Sequence, residues 1–456
     1  MLKSNKIVAL IITGFTLAFA GSCRKDYLYM PPPPHTSQPS STLEANFVST
    51  PPNELTSAYW TTADYLKVTS QNMSTKQIYS DGFMNMTGTY LGLSSFDNNL
   101  DPGLEIKAAY DANNIYILAQ WTDPQVDPEF ARCFYNGPTD PLKSDPDSLW
   151  TIQGNCDRFA LAFEIQSASS ASGSFSTVGC QAACHAGATT AMHPDAGKVD
   201  IWNWNLAHSA PLGYVEDMVA DGTGLSDDAG TPMWAWNQKS ASPRSGPAYE
   251  WDGNTQNIKL SNGQSSILNQ TYYLYTKTPF LGDPAKGDSI FHRTSQPGMC
   301  YTCHGYQGQG ASEEAINGIG EGSKSRSSII SNMNNNQDMG DYISGLGTGD
   351  FNNLVAYIKG FSGGTPGTYL QTPTGSNADI MAISNVTPSQ ITNAPSPSKN
   401  IHTKYQVLII RKLNTGNNDD IQFIPTTTKM VKFGVALMNR DGANHIGSAI
   451  ETLTFK

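Results

Sequence analysis

Apolar and polar residues alternate with a period of two along several stretches of the chain. Leu104, Ile106, Ala108 and Tyr110 are separated by polar or small residues, Asp111 to Asn114 supplies turn chemistry, and Ile115, Ile117, Ala119 and Trp121 resume the alternation. Successive side chains of a strand point to opposite faces, so this pattern predicts a hairpin with one buried face. Phe159 to Ile165, Tyr405 to Ile410, Val431 to Met438 and Ile450 to Phe455 are further predicted strands. Long amphipathic helical runs are scarce, and Gly, Asn, Ser and Thr are abundant, which favours a β-rich body with long loops. Helical patterning gathers after residue 280. A short helix is predicted over Ser327 to Met333, and another begins near Thr348 or Asp350 and presents Leu354, Tyr357 and Ile358 on one face.

The first residues read as an address. Lys3 and Lys6 precede an apolar run from Ile7 to Ala20, too short to span a bilayer comfortably, and Ala20-Gly21-Ser22-Cys23 follows. That order resembles a bacterial lipoprotein signal, which implies removal of residues 1–22 and lipid on Cys23. An ordinary signal peptide is the alternative, and either one sends the mature chain out of the cytoplasm. The expected location is the cell envelope, periplasmic or outer-membrane associated, with the cell surface left open. No later stretch approaches the ~20 unbroken apolar residues of a transmembrane helix, so any membrane attachment is through Cys23. Residues 23–58, with Pro31 to Pro34 and many Ser and Thr, are expected to form an extended tether. Loss of Lys3 and Lys6 takes the formal charge from −11 to −13. Such an acidic chain argues against nucleic acid as a partner and favours a basic redox protein.

The seven cysteines separate into classes. Cys23 belongs to the anchor. Cys180-Gln181-Ala182-Ala183-Cys184-His185 and Cys300-Tyr301-Thr302-Cys303-His304 each end in histidine. In Cys-x-x-Cys-His the two thiols add across the two vinyl groups of one porphyrin as thioethers, and the next residue is carried under the iron. Cys300 and Cys303 are therefore expected to hold one c-type haem with His304 as proximal ligand. Cys180 and Cys184, one residue further apart, would hold a second with His185. Zinc ligation is the competing reading of four cysteines and two histidines, but it gives no reason for a histidine directly after each second cysteine. Cys133 and Cys156 remain, either a disulfide in an oxidising compartment or two buried thiols, with the disulfide preferred.

Gly282-Asp283-Pro284 to Phe291 ahead of Cys300, Gly305 after His304, and the closing helix around Leu354 to Lys359 resemble a class I cytochrome c. In that family an early helix carries an aromatic residue near the haem, and a distal methionine lies in the loop before the last helix. The resemblance implies Met339 as the second iron ligand opposite His304, with Met333 filling space inside the shorter helix. Elsewhere, Ala109-Tyr110-Asp111 through Trp121-Thr122-Asp123-Pro124, Asp157-Arg158-Phe159-Ala160, Val199 to Trp204, and Arg411-Lys412-Leu413-Asn414-Thr415-Gly416 resemble the haem-binding γ subunit of ethylbenzene dehydrogenase. That family holds its haem without thioether bonds, so its ligands are not carried over. Met192 is favoured as distal ligand of the first haem, with His193 and His208 as alternatives. Trp202 and Trp204 are either walls of that pocket or plain core.

Together these readings imply a mainly β fold: a β-sandwich haem-binding domain over residues 59–280 and 364–456, interrupted at 281–363 by a small all-α cytochrome c-like domain. The expected function is electron transfer by a dihaem c-type cytochrome between a redox donor and acceptor, with a molybdenum enzyme as candidate partner. A dihaem peroxidase, which needs one iron with a displaceable ligand, is the alternative. No Ser/His/Asp arrangement, phosphate loop or carboxylate pair at telling spacing supports other chemistry.

Overall fold

The computed structural model describes residues 37–68, 73–77, 103–123, 132–135, 150–153, 156–170, 173–177, 179, 194–239, 246–250, 278–304, 326–361, 365–390, 401–438, 444–448 and 450–456. The alternating segments become the strands of one large sheet. Its main path uses β1 (Leu43–Phe47), β2 (Leu104–Tyr110), β3 (Asn114–Asp123), β4 (Arg158–Ser170), β5 (Ala196–Asn205), β6 (Glu216–Asp221), β7 (Gly224–Asp227), β8 (Ile380–Gln390), β9 (Ile401–Lys412), β10 (Met430–Met438) and β11 (Glu451–Phe455). They run in the order β7-β6-β5-β4-β10-β11-β1-β2-β3-β9-β8. The predicted hairpin is β2 and β3, antiparallel, with Tyr110 opposite Ile115. Asp111 builds its turn: Oδ1 accepts from the backbone N–H groups of Asn113 and Asn114, both at 2.7 Å, and Oδ2 accepts from the Tyr116 hydroxyl at 2.7 Å.

The sheet curls into two facing halves. Trp121 on β3 stacks on Phe159 of β4 at 5.6 Å, although four strands separate β3 from β4 along the sheet path. Trp121 also stacks on Tyr405 of β9 at 4.8 Å and meets Trp204 of β5 edge-on at 5.9 Å. Such aromatic pairs contribute about 0.5–1.5 kcal/mol each beyond the burial of their surface. The alternate residues Ile115, Ile117, Ala119, Phe159, Leu161, Phe163, Val407, Ile409, Phe433 and Val435 fill the same core. The ends of the curl meet where Val215 N–H donates to the Ile380 carbonyl at 3.0 Å and Ala382 N–H to the Gly213 carbonyl at 2.9 Å. A bulge at Ala196 to Val199 needs Gly197, whose φ is +84° and whose added Cβ would lie 2.2 Å from the Ser167 carbonyl oxygen.

The outer faces are covered too. Trp60 and Ala63 pack over Ala109, Tyr116, Leu118 and Leu408 on one side. Phe175 and Ala168 pack with Ala162, Val199, Ile201 and Ala220 on the other. Lys107 is buried on the first of these faces, where its ammonium donates to the Trp60 carbonyl at 2.5 Å and burial lowers its pKa.

Part of the expected tether belongs to the sheet. Leu43–Phe47, inside 23–58, enters the sheet as β1, parallel to both β11 and β2. Apolar Leu43 and Ala45 face the core, so the segment gains burial that an extended linker would forgo.

Apart from one-turn helices at Tyr59–Thr62 and Ser209–Leu212, the described α-helices fall in one stretch: α1 (Pro284–Phe291), α2 (Tyr301–His304), α3 (Arg326–Asn335), α4 (Gln337–Ile343) and α5 (Thr348–Phe361). Asp283 caps α1, accepting from Ala285 N–H at 3.0 Å, with Pro284 in the first turn. The helices do not close a core by themselves. Their cluster of Ile290, Phe291, Ile329, Met333, Leu354, Val355, Tyr357 and Ile358 also takes in Cys133, Tyr135, Trp150 and Phe280. Tyr135 and Trp150 come from a three-stranded ribbon of Arg132–Tyr135, Trp150–Gln153 and Thr365–Pro366, so residues before 281 complete the helical core. Among the described residues, no helix is long and apolar enough to cross a membrane.

Candidate functional site

α1 and α5 cross at Gly287, which has no space for a side chain: a Cβ there would lie 1.9 Å from the Asn353 carbonyl oxygen and 2.8 Å from the Tyr357 Cβ. The close approach brings Phe291 against Tyr357 at 5.3 Å, and Tyr357 against Tyr135 at 5.8 Å. Asp283 N–H donates to Asn353 Oδ1 at 2.8 Å, which pins the start of α1 to α5. Arg293 reaches Asp350 at 3.2 Å and the Pro297 carbonyl at 3.1 Å, which holds the segment entering α2 against the start of α5.

On this frame sit Cys300, Cys303 and His304. The Cys300 carbonyl accepts from the backbone N–H of Cys303 at 3.3 Å and of His304 at 3.0 Å. One turn of helix thus carries the two thiols at i and i+3 and the imidazole at i+4, positions that share a helix face. Cys300 is buried in the helical cluster, Cys303 is exposed and His304 is half-buried. Burial pushes the Cys300 thiol up to about 11. Met339 is half-buried and packs on the cluster that contains Cys300, while Met333 is buried inside it. Met339 lies within α4 and not in a loop, with Ser344 to Gly347 separating that helix from α5. The donor set fits a c-type haem: two thiols and an imidazole on one turn, and a thioether on the same apolar cluster.

The companion residues Cys180, Cys184, His185, Met192 and His193 lie outside the described residues, as does Cys23. His208, the third alternative beside Met192, is held elsewhere. Its Nδ1 is 3.2 Å from Glu216, its Nε2 is 3.3 Å from Thr368 Oγ1, and its ring stacks on Trp234 at 4.9 Å. Burial lowers the His208 pKa. Burial alone would raise that of Glu216, but hydrogen bonds from His208 and Asn203 and the nearby charge of Arg158 hold it below the usual range. Both ring nitrogens of His208 thus lie within reach of protein groups. Trp202 and Trp204 are plain core, fully buried between the halves of the sheet.

The preferred disulfide is not formed. Cys133 and Cys156 are thiols buried in different places, Cys133 in the helical cluster and Cys156 in the sheet core. Burial pushes them up to about 12 and about 11.

The motif segments that are distant in sequence converge. Asp157 accepts from the Tyr405 hydroxyl beneath Trp121, and Asp200 meets Arg411 at 3.6 Å. A family model described as ethylbenzene dehydrogenase matches residues 57–294, a little over half of the chain. No curated protein matches the chain. The matched stretch holds β2 to β7 and ends just before Cys300, so α2 and Met339 lie beyond it.

Proposed function

The chain belongs to the ethylbenzene dehydrogenase family, and from that premise we propose that it is a dihaem c-type cytochrome of the cell envelope, an electron-transfer subunit that works with a molybdenum enzyme. The observation that carries this reading is the single helical turn bearing Cys300, Cys303 and His304 beside the Met339 cluster. Cys300 and Cys303 hold one haem through thioether bonds, and His304 and Met339 ligate its iron. Cys180, Cys184 and His185 hold the other, with Met192 as the favoured distal ligand. A haem so held supplies a one-electron couple, and histidine with methionine sets it at a raised potential. Residues 281–363 act as an inserted cytochrome c-like domain. Lipid on Cys23 anchors the chain, which takes electrons from one redox protein and passes them to another.

Denaturing mass spectrometry of protein matured in a host with c-type assembly machinery is expected to show two haem additions, and Cys300→Ser with Cys303→Ser one. Met339→Ala is expected to abolish the sulfur-to-iron charge-transfer band of that haem and lower its potential. A single addition in the native chain, with Cys180 and Cys184 open to alkylation, would remove the dihaem assignment. Rapid carbon monoxide binding with substantial peroxide turnover would replace the carrier by a peroxidase.

A further inference from the structure

The interior of the curled sheet holds a cluster of three aspartates. Asp200 on β5 and Asp217 on β6 both point into it, because Asp217 stands opposite Trp202 in the β5–β6 pairing and Asp200 lies two residues before Trp202. Asp420 arrives from the loop between β9 and β10. Its Oδ2 accepts from Thr415 Oγ1 at 2.5 Å and from Asn417 at 3.2 Å, while the next residue, Ile421, donates its N–H to Asp200 at 2.8 Å. One oxygen from each of Asp200, Asp217 and Asp420 lies within 4.8 Å of the others, and the three residues are 0%, 0% and 1% exposed.

Arg411 compensates this charge only in part. Its Nη2 is 3.0 Å from Asp420 and 3.6 Å from Asp200. Both carboxylate oxygens of Asp217 are buried without a hydrogen-bond partner among the described residues. Three carboxylates and one guanidinium leave a formal charge of −2 in the interior, where an uncompensated ion is strongly disfavoured. A proton on Asp217 would lower the charge but would leave its other oxygen buried without a donor among the described residues, itself a penalty. A divalent cation neutralises the set and satisfies Asp217 together.

We propose that Asp200, Asp217 and Asp420 bind a calcium ion that ties the loop after β9 to strands β5 and β6. The donors are all carboxylate oxygens with no histidine or cysteine among them, which selects a hard cation over zinc or copper. The centre of a triangle with 4.8 Å edges is about 2.8 Å from each corner, so a small inward movement reaches the ~2.3–2.6 Å of calcium–oxygen bonds. Magnesium needs about 2.0–2.1 Å and retains several waters, which a fully buried carboxylate set accommodates poorly. Asp228 and Asp419, which share Asp420 in a second carboxylate group, add negative potential beside the site. This inference does not depend on the haem assignment.

The test uses the full mature chain, stripped of metal with a chelator and titrated with calcium by calorimetry and thermal denaturation. One saturable site and a rise in Tm of several degrees are expected, with terbium luminescence excited through the buried Trp202 reporting the same site. Asp217→Asn is expected to lose at least tenfold in affinity and the calcium-dependent Tm shift, while Asp221→Asn, at the half-buried end of β6, retains both. A stripped wild-type chain without a calcium-dependent shift or heat overturns the site, as does Asp217→Asn with a wild-type response. An equal response to magnesium overturns the choice of calcium. Should Asp217→Asn fail to fold, the wild-type titration decides alone.

Discussion

The curled sheet and the helical stretch bury their apolar residues by different means. In the sheet each strand contributes every second residue to one core, and the same rings serve several neighbours: Trp121 touches Phe159, Trp204 and Tyr405. The helices are short, from 4 to 14 residues, and isolated segments of that length are marginal in water. They depend on one close crossing at Gly287 and on Tyr135 and Trp150 from the adjoining ribbon. The sheet is therefore a distributed structure, whereas the helical stretch hinges on a few contacts.

The largest effect that probes this contrast is expected in the sheet. Trp204→Ala leaves a cavity beside the stacked Trp121 and Tyr405 and should cost about 3–5 kcal/mol. Because those rings join both halves, urea denaturation should report a lower midpoint for the whole sheet, and hydrogen exchange should quicken in β3 and β9 together. Exchange confined to β5 would contradict a shared core. A smaller and more local effect is expected from Gly287→Ala, about 1–3 kcal/mol from forcing α1 away from α5. Here exchange should quicken in α1 and α5 and leave β3 and β9 unchanged. Equal acceleration in both regions would show that the two unfold as one.

The smallest effect is a pH response belonging to the sheet side. The His208 pKa is below its ordinary value of 6.5 in the folded chain because the ring is buried, so on acidification the unfolded chain takes up that proton first. Stability should accordingly fall as pH drops through about 6.5 toward the lower folded value. His208→Gln should flatten this part of the curve in denaturation series taken at successive pH values. A slope unchanged by the substitution would assign the acid response to other groups.

Much of the architecture was legible along the chain. The β2–β3 hairpin appears with its turn at Asp111, and the strands around Phe159, Tyr405, Val431 and Leu453 lie where the alternation puts them, because period two is a local property of an extended backbone. The shared turn of Cys300, Cys303 and His304 was legible for a similar reason: they are neighbours in sequence, and one helical turn suffices to set them together. Other readings needed longer-range information. Leu43–Phe47 looked like linker because Pro, Ser and Thr surround it, and its place depends on parallel partners at Leu104–Tyr110 and Glu451–Phe455. Cys133 and Cys156 looked like a pair by count, and the packing puts one thiol among helices and the other inside the sheet.

By itself, then, the sequence determined what short spacings control: which segments extend, which stretch coils into helix, and which cysteines share a turn with a histidine. Tertiary structure alone decided that Tyr135 and Trp150 complete the helical core and that Asp200, Asp217 and Asp420 meet around Arg411. The physical reason is register and curl. Residues more than 200 positions apart come within a few ångströms only when every intervening strand has paired and the two halves of the sheet have closed on each other, and no local pattern encodes that outcome.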